Sequence, residues 1–190
     1  MAVPVADAGV NEALGKARAA LSLARDLRWV RDEQLHLTLR FFVDLPSAQA
    51  DLAAAAAAAT AASAPRFDLE VRGLGRFPSH GPLRVVWAGL GGGRAELVAL
   101  GAALQRELSA RGFPEEERPL SPHLTLARAR DPRGSRDAAR AVAAFAPSVG
   151  ALGVQAVDAL VLYRSDLGAG PPVHTPLGRF PLTAALRGGP

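Results

Sequence analysis

The sequence predicts an α+β fold built from two similar lobes, each with an antiparallel sheet and flanking helices. The tetrapeptide His-Leu-Thr-Leu occurs twice, starting at His36 and at His123, in a chain with only four histidines. Segments with strand and helix patterns alternate along both halves of the chain. With 190 residues, of which 49% are hydrophobic, the chain is long enough to bury a core. We therefore treat residues 1–190 as a single bilobal domain.

Seven segments are predicted to be strands, because their polar and apolar residues alternate or because β-branched and aromatic residues are frequent in them. In chain order the predicted strands are Ala2–Val5, Leu35–Val43, Phe67–Leu74, Leu83–Leu90, Ser121–Arg130, Val154–Tyr163 and Val173–Leu182. The two copies of the tetrapeptide lie in the second and the fifth of these segments.

Four segments are predicted to be helices, because their apolar residues recur at spacings of three and four. In chain order the predicted helices are Asn11–Leu27, Ser47–Ala62, Arg94–Ala110 and Asp137–Phe145. Ser47 is a suitable N-cap for the second helix. Gly112 lies just past the end of the third helix, where glycine is favoured.

Composition restricts the kinds of site that the chain can hold. Cysteine is absent, which excludes disulfides and thiolate metal sites. Arginine provides 21 of the 22 basic side chains, and Lys16 is the only lysine. A GC-rich genome explains an arginine bias, but guanidinium groups are also well suited to holding phosphates. No stretch has the roughly 18 apolar residues of a membrane span, and the start of the chain does not resemble a signal peptide. We expect a cytoplasmic monomer.

The repeated tetrapeptide has the residues that acid–base chemistry on a phosphate requires. Side chains alternate between the two faces of a strand, so the His and the Thr of each copy share one face and the leucines share the other. Two such strands facing each other would bring two imidazoles and two hydroxyls into one site. An unperturbed histidine titrates near pH 6.5, so one ring can accept a proton while the other donates one. Hydroxyls and arginine can hold the phosphate charge without a metal or any other cofactor.

The wider sequence around both copies resembles the two-histidine (2H) phosphoesterases, and within them the RNA 2′,3′-cyclic phosphodiesterase or 2′-5′ RNA ligase-like branch. The resemblance extends over nearly the whole chain, in the segments His36-Leu-Thr-Leu-Arg-Phe-Phe, His123-Leu-Thr-Leu-Ala-Arg, Arg28-Trp-Val, Val85-Val-Trp-Ala-Gly, Leu162-Tyr-Arg-Ser and Gly178-Arg-Phe-Pro-Leu. It implies a cleft between two lobes that is lined by both histidine strands. The start of the chain is short compared with this family, so we expect Met1 to fall within its first strand.

The resemblance also implies an activity and a role for each residue. The activity is metal-independent hydrolysis of RNA 2′,3′-cyclic phosphate ends, those of tRNA fragments among them, to 2′-phosphates. His123 would activate water, and His36 would protonate the leaving 3′ oxygen. Thr38 and Thr125 would bind phosphate oxygens, with help from Arg128. In reverse, the same site would join RNA ends through a 2′-5′ linkage without ATP.

Two arginines near the motifs raise a geometric question. Strict alternation places Arg128 on the face opposite His123, so it reaches the phosphate only if the strand ends or bulges near Ala127. Arg40 shares the face of His36 in a regular strand, and we expect it to contact substrate.

Other interpretations stay open at this point. The substrate could be a small cyclic nucleotide or an ADP-ribose cyclic phosphate, or the protein could be a module that binds RNA ends without turnover. His80 and His174 lie in or beside predicted loops, and we expect them to be exposed or locally bonded. Two histidines with threonines supply too few ligands for zinc, which usually takes three or four from the protein.

Overall fold

The computed structural model describes residues 1–21, 24, 26–116, 119–131, 135–166 and 172–184. In these ranges the chain forms nine strands and four helices. The strands are β1 (Ala2–Pro4), β2 (Leu27–Trp29), β3 (His36–Thr38), β4 (Phe67–Phe77), β5 (Val85–Leu90), β6 (Leu124–Ala129), β7 (Ala151–Val157), β8 (Ala159–Asp166) and β9 (Val173–Pro181). The helices are α1 (Ala8–Ala20), α2 (Ser47–Ser63), α3 (Arg94–Ser109) and α4 (Arg136–Phe145).

The strands form one antiparallel sheet with the two motif strands at its centre. The order is β7-β4-β5-β6-β3-β1-β8-β9, and β2 also pairs with β6. Four strands therefore lie on each side of the junction between β6 and β3. This arrangement confirms the predicted α+β fold with two similar halves, each contributing one copy of the tetrapeptide. The two halves share one continuous sheet.

The sheet curls strongly, because two strands near its opposite ends are consecutive in the chain. Asp158 alone separates β7 from β8. The prediction of a single strand over Val154–Tyr163 is therefore wrong. The apolar pattern runs through Asp158 without a turn signal, but β7 pairs with β4 while β8 pairs with β9. The backbone carbonyl of Asp158 accepts a hydrogen bond from Leu182 N at 2.8 Å, which helps to fix this crossing.

The first helix is shorter than predicted. The Asp7 side chain accepts a hydrogen bond from Val10 N at 2.9 Å and caps the start of α1, which ends at Ala20. Leu27, the predicted end of this helix, is instead the first residue of β2. Its pairing with Ala129 of β6 overrides the helical pattern of the segment.

A main hydrophobic core includes residues from both halves of the sheet. Leu37 of β3 and Leu124 of β6 are both 0% exposed in this core, next to leucines of α3. Alanines on one face of α2 are also buried there, which allows this helix to pack closely against its neighbours. In the described part of the chain no helix is both long and apolar enough to cross a membrane. Since the motif leucines face the core, their neighbouring His and Thr side chains point to the other face.

Candidate active site

The register of the two motif strands brings both histidines and both threonines together. Leu37 and Leu124 are direct partners across the junction of β3 and β6. Because the strands are antiparallel, one step along each strand sets His36 opposite Thr125. The step in the other direction sets Thr38 opposite His123. Residues directly opposite have Cβ atoms about 4.5–5.5 Å apart, and diagonal neighbours are about 7–8 Å apart. The two imidazoles therefore lie on one diagonal and the two hydroxyls on the other, around an area the size of one phosphate.

Both imidazole rings are oriented in the same way. The Nδ1 atom of His36 lies 2.8 Å from the backbone oxygen of Gln34. The Nδ1 atom of His123 lies 2.8 Å from the backbone oxygen of Ser121. A carbonyl oxygen can only accept, so in each ring Nδ1 carries the proton and donates it. Each Nε2 atom is then left to accept a proton when the ring is neutral or to donate one when it is charged.

A cleft of about 720 Å³ opens beside these groups. The predicted site residues that line it are His36, Thr38, Thr125, Arg128 and Arg40. His123 lies outside this lining, with its ring 5.1 Å from the ring of Phe77. Tyr163 also lines the cleft, and its ring lies 5.8 Å from that of His36.

A β-bulge directs Arg128 into the cleft. Val86 pairs with Ala127, whereas the next residue, Trp87, pairs with Thr125, so β6 contains one extra residue at this point. The register shift meets the condition, a strand end or a bulge near Ala127, under which Arg128 shares the face of His123. Arg128 is close enough to His36 for its charge to help lower the pKa of that ring.

A second bulge follows the first motif and changes the expected position of Arg40. The N–H groups of Leu39 and Arg40 both donate to the Met1 carbonyl, at 3.0 and 3.1 Å. The Arg40 side chain is only 8% exposed and forms an ion pair of 2.8 Å with Glu116. It also donates to the Pro114 carbonyl at 2.9 Å. Arg40 borders the cleft, but these partners occupy its guanidinium group.

Burial keeps His36 neutral near neutral pH. It lowers the pKa of His36 to about 4, and the nearby positive charges of His174 and Arg128 contribute in the same direction. The hydrogen bond to the Gln34 carbonyl opposes this change but does not cancel it. The ring can therefore donate a proton near neutral pH only if a bound anion raises its pKa again.

This low pKa predicts a specific loss of stability in acid. In the unfolded chain His36 takes up a proton near pH 6.5, whereas in the folded chain it does so near pH 4. The unfolded state binds more protons between these values, so stability falls as the pH drops from 6.5 to 4. We expect this fall to be roughly 3 kcal/mol smaller in His36→Gln than in the wild type. Denaturant unfolding at pH 7 and pH 4 measures the difference.

His80→Gln is the matched control, because His80 is exposed in a loop. It should lose as much stability as the wild type. If His36→Gln behaves like this control, the burial argument for His36 is wrong.

A third histidine, His174, contacts the site and was missed as a functional residue. Its ring centroid lies 4.5 Å from that of His36, edge to face. Its Nδ1 atom lies 2.9 Å from the Ser165 hydroxyl, and its backbone N–H donates to the Gln34 side chain at 2.6 Å. His174 is locally bonded as expected, but no repeated motif indicated its contact with His36. The sequence around His174 gives no signal of this contact, because the contact depends on where β9 lies relative to β3 in the sheet.

No metal centre is built into the described ranges. They contain no group of three or more His, Asp or Glu side chains arranged to hold a metal ion. His80, the remaining histidine, lies 3.1 Å from the neighbouring Ser79 hydroxyl and is exposed, as expected.

Comparison with known proteins agrees with this geometry. The sequence profile of the 2′-5′ RNA ligase superfamily matches residues 7–169. The chain belongs to the 2′-5′ RNA ligase superfamily. This assignment confirms the family resemblance that the two tetrapeptides indicated.

Named members of the superfamily are moderately similar to this chain. It is 38% identical to an RNA 2′,3′-cyclic phosphodiesterase of Aeropyrum pernix over 56% of this chain and 60% of that protein. It is 33% identical to an RNA 2′,3′-cyclic phosphodiesterase of Geobacillus stearothermophilus over 84% of this chain and 49% of that protein. The chain thus spans only about half to three-fifths of the length of these two superfamily members.

A solved structure shares the whole fold. The crystal structure of E. coli LigT complexed with 3′-AMP matches the present chain with a TM-score of 0.73 and 26% sequence identity. The match covers 96% of this chain and 95% of LigT.

Proposed function

We propose that this protein hydrolyses 2′,3′-cyclic phosphate ends of RNA to 2′-phosphates by metal-independent acid–base catalysis. The observation that carries the proposal is the direct pairing of β3 with β6. It gives two imidazoles and two hydroxyls one common face of the sheet. The names of the similar superfamily members support the choice of substrate.

The reaction uses the two rings on opposite sides of the phosphorus atom. Nε2 of His123 accepts a proton from water, and the water oxygen forms a new bond to phosphorus. The bond from phosphorus to the 3′ oxygen breaks, and Nε2 of His36 donates its proton to that oxygen. The phosphate stays on the 2′ oxygen, and solvent returns the proton from His123 to His36. Each proton transfer is worth roughly 10²–10⁴ in rate.

The remaining groups hold the phosphate during this exchange. Thr38 and Thr125 donate hydrogen bonds from their hydroxyls to the non-bridging oxygens. Arg128, directed into the cleft by its bulge, balances the negative charge of the phosphate. Arg40 is left out of the binding set because Glu116 and Pro114 occupy its guanidinium group. We assign it the role of anchoring the segment that follows β3.

The substrate itself provides the charge that His36 needs in order to act as an acid. A phosphate anion next to a buried ring favours the protonated form and raises its pKa. Binding of the cyclic phosphate is therefore accompanied by protonation of His36. In reverse the two rings exchange roles, which would permit 2′-5′ ligation without ATP.

The proposal is tested with an RNA oligonucleotide that ends in a 2′,3′-cyclic phosphate, incubated with the protein in EDTA. We expect conversion to a 2′-phosphate, identified by ³¹P NMR. Binding without any product would show an RNA-end-binding module instead. Faster hydrolysis of a small cyclic nucleotide than of RNA would show that the substrate is a small cyclic nucleotide and not an RNA end. Activity that appears only after addition of a divalent metal would contradict the metal-independent mechanism.

His174 should tune the proton affinity of His36. Replacing it in His174→Phe keeps a flat ring against His36 but removes the positive charge that lowers the pKa of His36. We therefore expect the pKa of His36 to rise in this variant. It should stay below 6.5, because burial is the larger cause of the shift. A pH titration of the imidazole nitrogens by NMR measures it, with His80→Phe as the control. An unchanged pKa of His36 would show that His174 is only a packing residue.

A further inference from the structure

Two arginines, Arg28 and Arg128, face each other across two strands that border the cleft. Arg28 of β2 and Arg128 of β6 are direct cross-strand partners, and both line the cleft. Within the described ranges neither guanidinium has a carboxylate or hydrogen-bond partner. By contrast, Arg164, which also lines the cleft, is paired with Asp166 at 3.2 Å. Like charges directly opposite each other destabilise a sheet, so this pair has a cost that a bound anion would offset.

Along the backbone the pair lies two strand positions beyond Thr125, and the charge of Arg128 still reaches His36. Thr125 is opposite Trp87 of β5, and Arg128 is opposite Val85. These positions are two residues apart on β5, which is about 6.6–6.8 Å along a strand. This distance is comparable to the spacing of neighbouring phosphates in a single RNA strand. A nucleotide whose cyclic phosphate lies at the histidines can therefore extend its next phosphate toward the two arginines.

We propose that Arg28 binds a second phosphate of the substrate, on the 5′ side of its terminal nucleotide, and that Arg128 lies between this phosphate and the cyclic phosphate. This inference rests on the proposed function in one respect, since it takes the cyclic phosphate to lie between His36 and His123. The guanidinium fork of Arg28 can hold the oxygens of the second phosphate through charge-assisted hydrogen bonds, and the charge of Arg128 acts on both phosphates. The site then selects RNA chains, or nucleotides with a 5′-phosphate, over simple nucleoside cyclic phosphates.

Binding of two product-like ligands tests this subsite without depending on turnover. Adenosine 2′-phosphate carries only the first phosphate, and adenosine 2′,5′-bisphosphate carries both. We expect the bisphosphate to bind about tenfold more tightly to the wild type, in line with the usual worth of hydrogen bonds to charged groups. Arg28→Met should abolish this gain and leave the Kd of adenosine 2′-phosphate unchanged. Calorimetry measures both Kd values.

Arg130→Met is the matched control. Arg130 is exposed, directly follows β6 and does not line the cleft, so this variant loses the same charge at a nearby position. It should keep the full gain from the second phosphate. Arg28→Lys keeps the charge but loses the fork, so we expect it to keep only part of the gain. If Arg28→Met proves poorly folded, this conservative variant still tests the subsite.

Two further measurements separate this inference from the proposed function. A dinucleotide that ends in a 2′-phosphate should bind more tightly than adenosine 2′-phosphate, as the bisphosphate does. If only the bisphosphate binds more tightly, the internal phosphate of RNA is not the ligand of Arg28. The salt dependence of dinucleotide binding should become shallower in Arg28→Met, by about 0.7 in a log–log plot. Equal binding of one-phosphate and two-phosphate ligands overturns the inference. If the second phosphate still increases affinity but the protein does not hydrolyse cyclic-phosphate RNA, the subsite is supported and the proposed function is contradicted.

Discussion

Replacing either motif histidine in His36→Ala or His123→Ala should lower kcat on a cyclic-phosphate RNA end by at least about 10²-fold. Each variant removes one of the two proton transfers, and each transfer is worth roughly 10²–10⁴ in rate. The fold should survive, because both rings project from the face opposite the buried Leu37 and Leu124. Initial rates at saturating substrate measure the effect, and thermal unfolding verifies the fold.

His80→Ala is the control for these two variants, since His80 lies in an exposed loop and does not line the cleft. It should keep the wild-type rate. A near-normal rate in either His36→Ala or His123→Ala would contradict the assignment of that histidine.

A change of the leaving atom in the substrate should show which of the two histidines is the acid. A substrate with sulfur in place of the leaving 3′ oxygen expels a thiolate, which needs no proton. On this substrate the penalty of His36→Ala should shrink by at least about tenfold relative to the oxygen substrate, because the acid is no longer needed. The penalty of His123→Ala should stay the same, since water still needs a base. A colorimetric thiol reagent follows release of the sulfur.

The opposite pattern would reverse the two roles. If sulfur rescues His123→Ala and leaves His36→Ala impaired, His123 is the acid and His36 is the base. The low pKa of His36 makes this comparison informative, because a ring that titrates near pH 4 is neutral at pH 7 unless an anion raises its pKa. Rescue of neither variant would contradict leaving-group protonation as part of the mechanism.

The features that the sequence predicted correctly depend on local patterns. Alternation along a strand is enough to put His36 and Thr38 on one face and Leu37 on the other. The same parity argument required a strand end or a bulge near Ala127 for Arg128, and a bulge is present. The repeated tetrapeptide indicated that two halves of the chain contribute equivalent strands.

The features that it did not predict depend on pairing between distant segments. The contact of His174 with His36 arises because β9 and β3 are brought together by other strands of the curled sheet. The break at Asp158 has no turn signal, since apolar residues continue on both sides of it. The bulge at Leu39 and Arg40 depends on the Met1 carbonyl, which is far away in sequence.

The two bulges occupy equivalent positions after the two histidines, which alternation alone does not reveal. One follows His36 by three to four residues, and the other follows His123 by the same interval. Beyond each bulge, the fifth residue after the histidine lines the cleft, Phe41 in one half and Arg128 in the other. Phe41 is 57% exposed there. The two halves thus repeat this backbone feature and differ in the side chains that they present to the cleft.

In the proposed mechanism two imidazoles bracket a single phosphorus atom. A crystal structure of the protein with adenosine 2′-phosphate tests it most directly. We expect Nε2 of His36 and Nε2 of His123 to lie on opposite sides of the phosphate, each within hydrogen-bond distance of an oxygen on phosphorus or of the 3′ hydroxyl. A phosphate that contacts only one of the two rings, or that binds elsewhere on the protein, would contradict the account.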